Sequence, residues 1–131
     1  MTEVLKILLI EDDADDIELL EEAFKENKIL YDLNVVMEGD KVASYLNSVD
    51  SLPQVIVLDF NLPKLHGREI LNILKSSHQF KNVPVVVLTT SAAKEDADYA
   101  LNLGAKHFIT KPTSMKDFSK TVSLITESAS A

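Results

Sequence analysis

The chain has 131 residues, 46% of them apolar and 26% charged, with three glycines, four prolines and no cysteine. That length and balance predict one domain with an ordinary core, and they exclude disordered, collagen-like and low-complexity classes. A formal net charge of −8 without any basic stripe argues against direct contact with DNA or RNA, and the missing thiols remove disulfides, thiolate metal sites and thiol nucleophiles.

Along the chain, short β-branched apolar runs alternate with helical periods. A strand is predicted over Leu5–Ile10, followed by Glu11, Asp12, Asp13, Asp15 and Asp16, five acids in six positions. Ile17, Leu20 and Phe24 mark a first helix, whose geometry is expected to turn Asp15 and Asp16 away from the strand ends. Val35–Val36 reads as a second strand, an edge, and Val42, Tyr45 and Leu46 as a second helix. Val55–Leu58 is a third strand closed by Asp59, and Ile70, Leu71 and Leu74 form the third helical period. Val85–Leu88 is a fourth strand closed by Thr89-Thr90, with Ala97, Ala100 and Leu101 on the helix after it. Phe108–Ile109 is a weaker fifth strand leading to Thr110-Lys111, and Met115, Phe118, Val122 and Ile125 form the last helix, with a tail from Ser128 to Ala131 expected to fray. Gly39, Pro53, Pro63, Gly67, Pro84, Gly104 and Pro112 fall between these runs.

Five such units imply right-handed βαβ crossovers and a doubly wound α/β sandwich with a five-stranded parallel sheet. No apolar run exceeds four residues, so nothing spans a bilayer, and the opening Met-Thr-Glu-Val-Leu-Lys lacks the pattern of a signal peptide. A cytoplasmic location is expected.

Ligands of an open parallel sheet bind beyond the C-terminal ends of its strands. The residues closing those strands are Glu11-Asp12, Asp59, Thr89-Thr90 and Thr110-Lys111. Singly, each has an ordinary role: helix-capping acids, a turn former, a strand-end threonine, an exposed lysine. Together they place three carboxylates, a hydroxyl and an ammonium on one rim. Clustered carboxylates repel unless a cation relieves them, and an all-oxygen ligand set selects a hard ion such as Mg²⁺. A metal, a lysine and a hydroxyl around one carboxylate suit phosphoryl transfer, with Asp59 as the nucleophile.

The stretches Ile-Leu-Leu-Ile-Glu11-Asp12-Asp13, Asp59-Phe-Asn61-Leu-Pro63-Lys-Leu-His-Gly67, Leu-Thr89-Thr-Ser and Gly104-Ala-Lys-His-Phe108-Ile-Thr-Lys111-Pro112 resemble the receiver domain of two-component response regulators, over essentially the whole chain. Asn61-Leu-Pro-Lys-Leu-His-Gly-Arg-Glu-Ile-Leu is further similar to the small phytochrome-associated regulators. The resemblance implies a (βα)5 flavodoxin-like fold of strand order 2-1-3-4-5, residues 1–131 as a single receiver domain without an output domain, and no enzymatic turnover beyond its own phosphorylation and dephosphorylation. It implies Asp59 as phosphoacceptor, Glu11, Asp12, Asp59 and the Asn61 carbonyl as Mg²⁺ ligands, Thr89 and Lys111 on the phosphoryl oxygens, and Thr89 with Phe108 as the switch. Its partners would be a sensor histidine kinase, phytochrome-like on the subgroup's pattern, and a downstream effector, a phosphorelay protein or a second copy of the chain.

Three positions depart from the common pattern. Thr90 stands where a small residue is usual, His66 where an acid is frequent, and Phe108 lacks the hydroxyl of a tyrosine. The three histidines do not cluster. Two other readings stand beside the receiver. A haloacid-dehalogenase-type phosphatase would need a second aspartate two residues after the first, where Asn61 stands; a phosphorylation-independent pseudo-receiver would normally have lost part of the acid set, and none is lost.

Overall fold

A computed structural model describes residues 3–62, 65–90 and 93–130. Pro63, Lys64 and Ser91 of the quoted motifs, and Ala131, lie outside the described residues. The elements in chain order are β1 Leu5–Ile10, α1 Ala14–Glu26, β2 Tyr31–Val36, α2 Val42–Ser48, β3 Val55–Leu58, α3 Gly67–Ser76, β4 Val85–Thr89, α4 Lys94–Asn102, β5 His107–Thr110 and α5 Met115–Ser130, with one 3-10 turn at Gly39–Lys41 before α2. All strand pairs are parallel and the order is β2-β1-β3-β4-β5, as the resemblance implied.

The apolar runs are continuous because the inner strands are covered on both faces. Alternate residues divide between two cores. Leu8, Ile10, Ile56, Leu58, Val85 and Val87 pack under α2, α3 and α4, against Leu46, Leu71, Leu74 and Ala100. Ile7, Leu9, Val55, Val57, Val86 and Leu88 pack under α1 and α5, against Leu20, Phe24, Phe118, Val122 and Ile125. β2 is longer than its apolar pair suggests: Asp32 and Asn34 alternate outward on an edge strand and interrupt the run. β5 closes the other edge.

Three expectations change. Leu101 is 48% exposed rather than part of the core, and Leu103 and Ala105 pack inward in its place. The tail does not fray within the described residues: α5 runs to Ser130, and Ser128 is buried, its Oγ donating to Leu124 O at 2.8 Å. Gly67 begins α3 rather than sitting in a loop. Its N–H donates to Phe60 O at 3.1 Å, and a Cβ there would lie 2.4 Å from Phe60 Cα, so only glycine lets α3 seat against the end of β3. Gly104, at φ +106°, ends α4 in the left-handed region, where Ala105 N–H reaches back to Ala100 O at 2.9 Å.

Across the outer surface Arg68 of α3 bonds Asp96 of α4 at 2.9 Å and lies 4.8 Å over the Tyr99 ring, while Asn72 Nδ2 donates to Tyr99 Oη at 2.7 Å. These contacts tie α3 to α4.

Gly67→Ala tests the close approach. Alanine gains about 1 kcal/mol of helix propensity at an open helix position, yet here overpacking against backbone should cost a net 1–3 kcal/mol or so. A lowered urea midpoint at unchanged slope is expected, and an unchanged midpoint would contradict the contact.

Candidate functional site

Because all strands run the same way, their C-terminal ends form one rim, and the order reverses between β1 and β3, the place where open parallel sheets bind ligands. Pairing continues one residue beyond the strands and holds the site residues as extensions of the sheet. Glu11 N–H donates to Val36 O at 3.1 Å, Asp59 N–H to Ile10 O at 3.0 Å, and Lys111 N–H to Thr89 O at 2.8 Å. Glu11, Asp59 and Thr89 are all buried, with relative exposures of 3%, 4% and 0%.

Lys111 crosses the rim and lies among carboxylates. Its Nζ is 2.6 Å from Asp16 Oδ2, 2.7 Å from Glu11 Oε1 and 3.0 Å from Asp59 Oδ2. Asp16 is a correction: α1 turns it toward the site, whereas Asp15 is exposed. The signal was present in the periodicity, since Asp16 precedes buried Leu20 by one turn and shares its inward stripe. The capping role proposed for the acids is also real and belongs to Asp13, whose Oδ1 accepts from Asp15 N–H at 2.9 Å and Asp16 N–H at 3.4 Å. Glu11 Oε2 meanwhile accepts from Asp12 N–H at 3.1 Å and Asp13 N–H at 3.3 Å, which orders the acidic turn.

The fate of the charges follows from burial. Desolvation pushes the Glu11 carboxyl up to about 7; Lys111 opposes this, and the neighbouring Asp59 charge adds to it. Burial would raise Asp59 as well, but the Asn61 N–H, Lys111 and a hydrogen bond from Glu11 together hold it below the usual aspartate range. Of the two carboxyls, Glu11 is the one shifted toward its protonated form and Asp59 the one shifted toward its anion. Burial lowers Lys111, yet its bonds to Asp16, Glu11 and Asp59 win, and its pKa lies above the ordinary lysine range.

Glu11, Asp12 and Asp59 each present an oxygen within 4.8 Å of the others. Crowded, partly protonated and all-oxygen, this set fits a hard divalent cation that keeps some of its water. Asn61 flanks it: its N–H donates to Asp59 Oδ1 at 2.9 Å, and its side chain donates to Thr90 Oγ1 at 2.8 Å. Thr90, the larger residue after Thr89, is exposed and ties the β4 end to the Asp59 turn, a link no spacing announced. His66 N-caps α3, its Nδ1 accepting from Arg68 N–H at 3.0 Å, so it replaces an acid with another acceptor. Phe108 is half-buried, with its ring edge-on to Phe60 at a centroid distance of 5.7 Å.

Comparison with known proteins decides the family. The response regulator receiver domain matches residues 7–123. The chain belongs to the response-regulator receiver family. Response regulator Rcp1 of Synechocystis sp. is 36% identical over 121 residues, covering 88% of this receiver and 82% of its own length. The probable methanogenesis regulatory protein FilR2 of Methanothrix harundinacea is 34% identical, over 92% of this receiver and 81% of FilR2. Among solved structures, the phosphorylated cyanobacterial phytochrome response regulator RcpA superposes with a TM-score of 0.84 at 35% identity, covering 95% and 93% of the two chains. The Mn²⁺-bound form of Rcp1 superposes with a TM-score of 0.81 at 35% identity, over 92% and 91%. The receiver is thus a phosphoacceptor response regulator similar to the phytochrome-associated ones, and receivers are signalling modules. The phosphatase alternative falls with the family match. No helix among the described residues is long and apolar enough to cross a membrane.

A protonated Glu11 sets a pH dependence. Between about 4.5, its ordinary value, and about 7 the folded receiver binds more protons than the unfolded chain, so stability falls as pH rises through that window. Asp59, shifted the other way, contributes stability that is lost only as pH falls below the ordinary aspartate value of 3.8. Without divalent cations, Glu11→Gln should flatten the fall, whose slope cannot exceed about 1.4 kcal/mol per pH unit for one proton. Urea titrations at several pH values check this, and equal slopes in both proteins would refute it.

Proposed function

We propose that Asp59 is the residue that receives the phosphoryl group, from the phosphohistidine of a sensor histidine kinase. One observation carries this reading: Asp59 is a buried carboxylate at the sheet's switch point, with Lys111 Nζ 3.0 Å from its Oδ2 and the Asn61 N–H 2.9 Å from its Oδ1. An Asp59 oxygen attacks phosphorus, the P–O bond forms as the P–N bond breaks, and the imidazole departs with the bonding pair and is protonated. The product is an aspartyl phosphate.

Mg²⁺ would be held by Glu11, Asp12, Asp59 and the backbone carbonyl of Asn61, and when bound it neutralises charge on the phosphoryl oxygens. The chain's own residues do the rest. The Asn61 N–H holds Asp59 Oδ1 in place, and Lys111 directs one N–H to Asp59 Oδ2. Lys111 and the Thr89 hydroxyl then donate to the transferred oxygens, where charge-assisted bonds are strongest.

The reading extends to output. Thr89 drawn toward a phosphoryl group leaves volume at the end of β4, and Phe108, on the adjacent strand, is the apolar ring placed to fill it. A packed interior favours two discrete arrangements, so the surface of α4, β5 and α5 changes shape for a partner. Residues 1–131 act as one receiver domain in the cytoplasm, without catalysis of any reaction beyond gain and loss of their own phosphoryl group. The partner is a downstream effector, a phosphorelay protein or a second copy. The likeness to a regulator described as a phytochrome response regulator supports a phytochrome-like kinase as donor.

Incubation with acetyl phosphate and Mg²⁺ should add one phosphoryl group by intact mass, and none to Asp59→Asn. Full labelling of the variant would place the acceptor elsewhere, and an unlabelled wild type would favour the phosphorylation-independent alternative. Millimolar Mg²⁺ should raise the melting temperature of the wild type by mass action, and Asp12→Ala should lose most of that rise. An unresponsive wild type would contradict the cation site. Thr89→Ala should still accept phosphate but lose the amide shifts at α4, β5 and α5 that beryllofluoride induces in wild type; the full set of shifts in the variant would refute the switch.

A further inference from the structure

An ammonium has three N–H donors, and in this receiver a different carboxylate lies within reach of each: Asp16 at 2.6 Å, Glu11 at 2.7 Å and Asp59 at 3.0 Å. Two of those acids belong to the oxygen cluster that fits a cation, but Asp16 does not. It comes from the first turn of α1, 95 residues from Lys111 in sequence, and makes the shortest of the three contacts. A cavity of about 10 Å³ beside the lysine is bordered by Leu9, Leu20, Val57, Leu88 and Phe118 together with Glu11 and Asp16, so the acceptors on that side of the ammonium are the two acids it already contacts. Lys111 is only 10% exposed at its side chain, and Asp16 is 28% exposed. Solvent thus reaches Asp16 more easily than the lysine it holds.

We propose that Asp16 is a positioning residue for phosphoryl transfer: it takes one Lys111 donor from the α1 side and thereby aims another at Asp59. The inference rests on Asp59 as acceptor. A lysine side chain has four rotatable carbons and loses much freedom when it is fixed. Asp16 imposes that loss during folding, so the ammonium already stands where phosphoryl oxygens will gather and need not be ordered during the reaction. Asp16 makes no contact with the reacting atoms, and its effect passes through Lys111. Since Asp16 lies outside the oxygen cluster, its loss should leave cation binding in place.

Two readouts test this, using the full chain. With ¹⁵N-lysine labelling, the Lys111 ammonium should give a resolved proton–nitrogen signal in wild type, as a donor held by carboxylates and shielded from water. That signal should vanish in Asp16→Ala and persist in Asp16→Asn, whose amide oxygen still accepts. The rate of phosphorylation by acetyl phosphate at saturating Mg²⁺ should fall by about tenfold in Asp16→Ala, the size expected for one charge-assisted hydrogen bond. Asp16→Asn should stay within about twofold of wild type if acceptance of the bond is what matters. Asp15→Ala, on the same first turn but exposed, controls for the helix dipole and should match wild type. Asp16→Ser, too short to reach Nζ, repeats the test if Asp16→Ala does not fold. Wild-type rate and an intact ammonium signal in Asp16→Ala would overturn the proposal, and so would an Asp16→Asn variant as slow as Asp16→Ala. A wild type that takes no phosphoryl group at Asp59 would instead overturn the acceptor assignment, while the ammonium signal would still report whether Asp16 holds Lys111.

Discussion

The arrangement depends on one buried cation among buried anions. Lys111 Nζ sits within 3.0 Å of three carboxylates contributed by β1, α1 and the end of β3. Without the lysine, Glu11 and Asp59 would be two nearly buried acids with no countercharge, a costly condition that proteins relieve by protonation or by binding a cation. Even with it the rim has more negative charge than one ammonium balances, and Glu11 retains a proton up to about 7. That residual imbalance is the physical reason the oxygen cluster of Glu11, Asp12 and Asp59 fits a cation. Asp59 is held below the ordinary aspartate range against that imbalance, by the Asn61 N–H, Lys111 and a hydrogen bond from Glu11.

Geometry of the sheet makes such crowding possible. Parallel strands deliver their C-terminal residues to a common edge, and backbone pairing beyond β1, β3 and β5 leaves Glu11, Asp59 and Lys111 little freedom to separate. Tight packing behind the rim adds stiffness: Phe60 lies under Gly67 and edge-on to Phe108, so the Asp59 turn, the start of α3 and β5 share one aromatic contact. The Asn61–Thr90 bond joins the Asp59 turn to the end of β4. Farther out, the Arg68, Asp96, Tyr99 and Asn72 contacts bind α4 to α3 from the solvent side.

Much of this was legible in the chain. Runs such as Val55–Leu58 and Val85–Leu88 are unmixed because their strands are covered on both faces, so they stood out against the helical periods. The ends of those runs marked Glu11, Asp59, Thr89 and Lys111 as one rim. Edge strands were harder, since β2 alternates and half of β5 is polar. The inward turn of Asp16 lay in the helical period it shares with Leu20, whereas the cap supplied by His66 and the Asn61–Thr90 link escaped because each is a contact between polar side chains, or between a side chain and local backbone, which hydrophobic periodicity does not encode.

By itself, then, the sequence determined the alternation of strands and helices, the parallel sheet that follows from it, and the residue types presented at the strand ends. Those properties depend on patterns local in the chain, with periods of two and of 3.6 residues. Tertiary structure alone decided the charge state of that rim and the path of its lysine. How far the Glu11 carboxyl is raised depends on how deeply the fold buries it, and where Lys111 points depends on an aspartate 95 residues away. Electrostatic energy inside a protein is set by distance and desolvation, and neither quantity exists until the chain has folded.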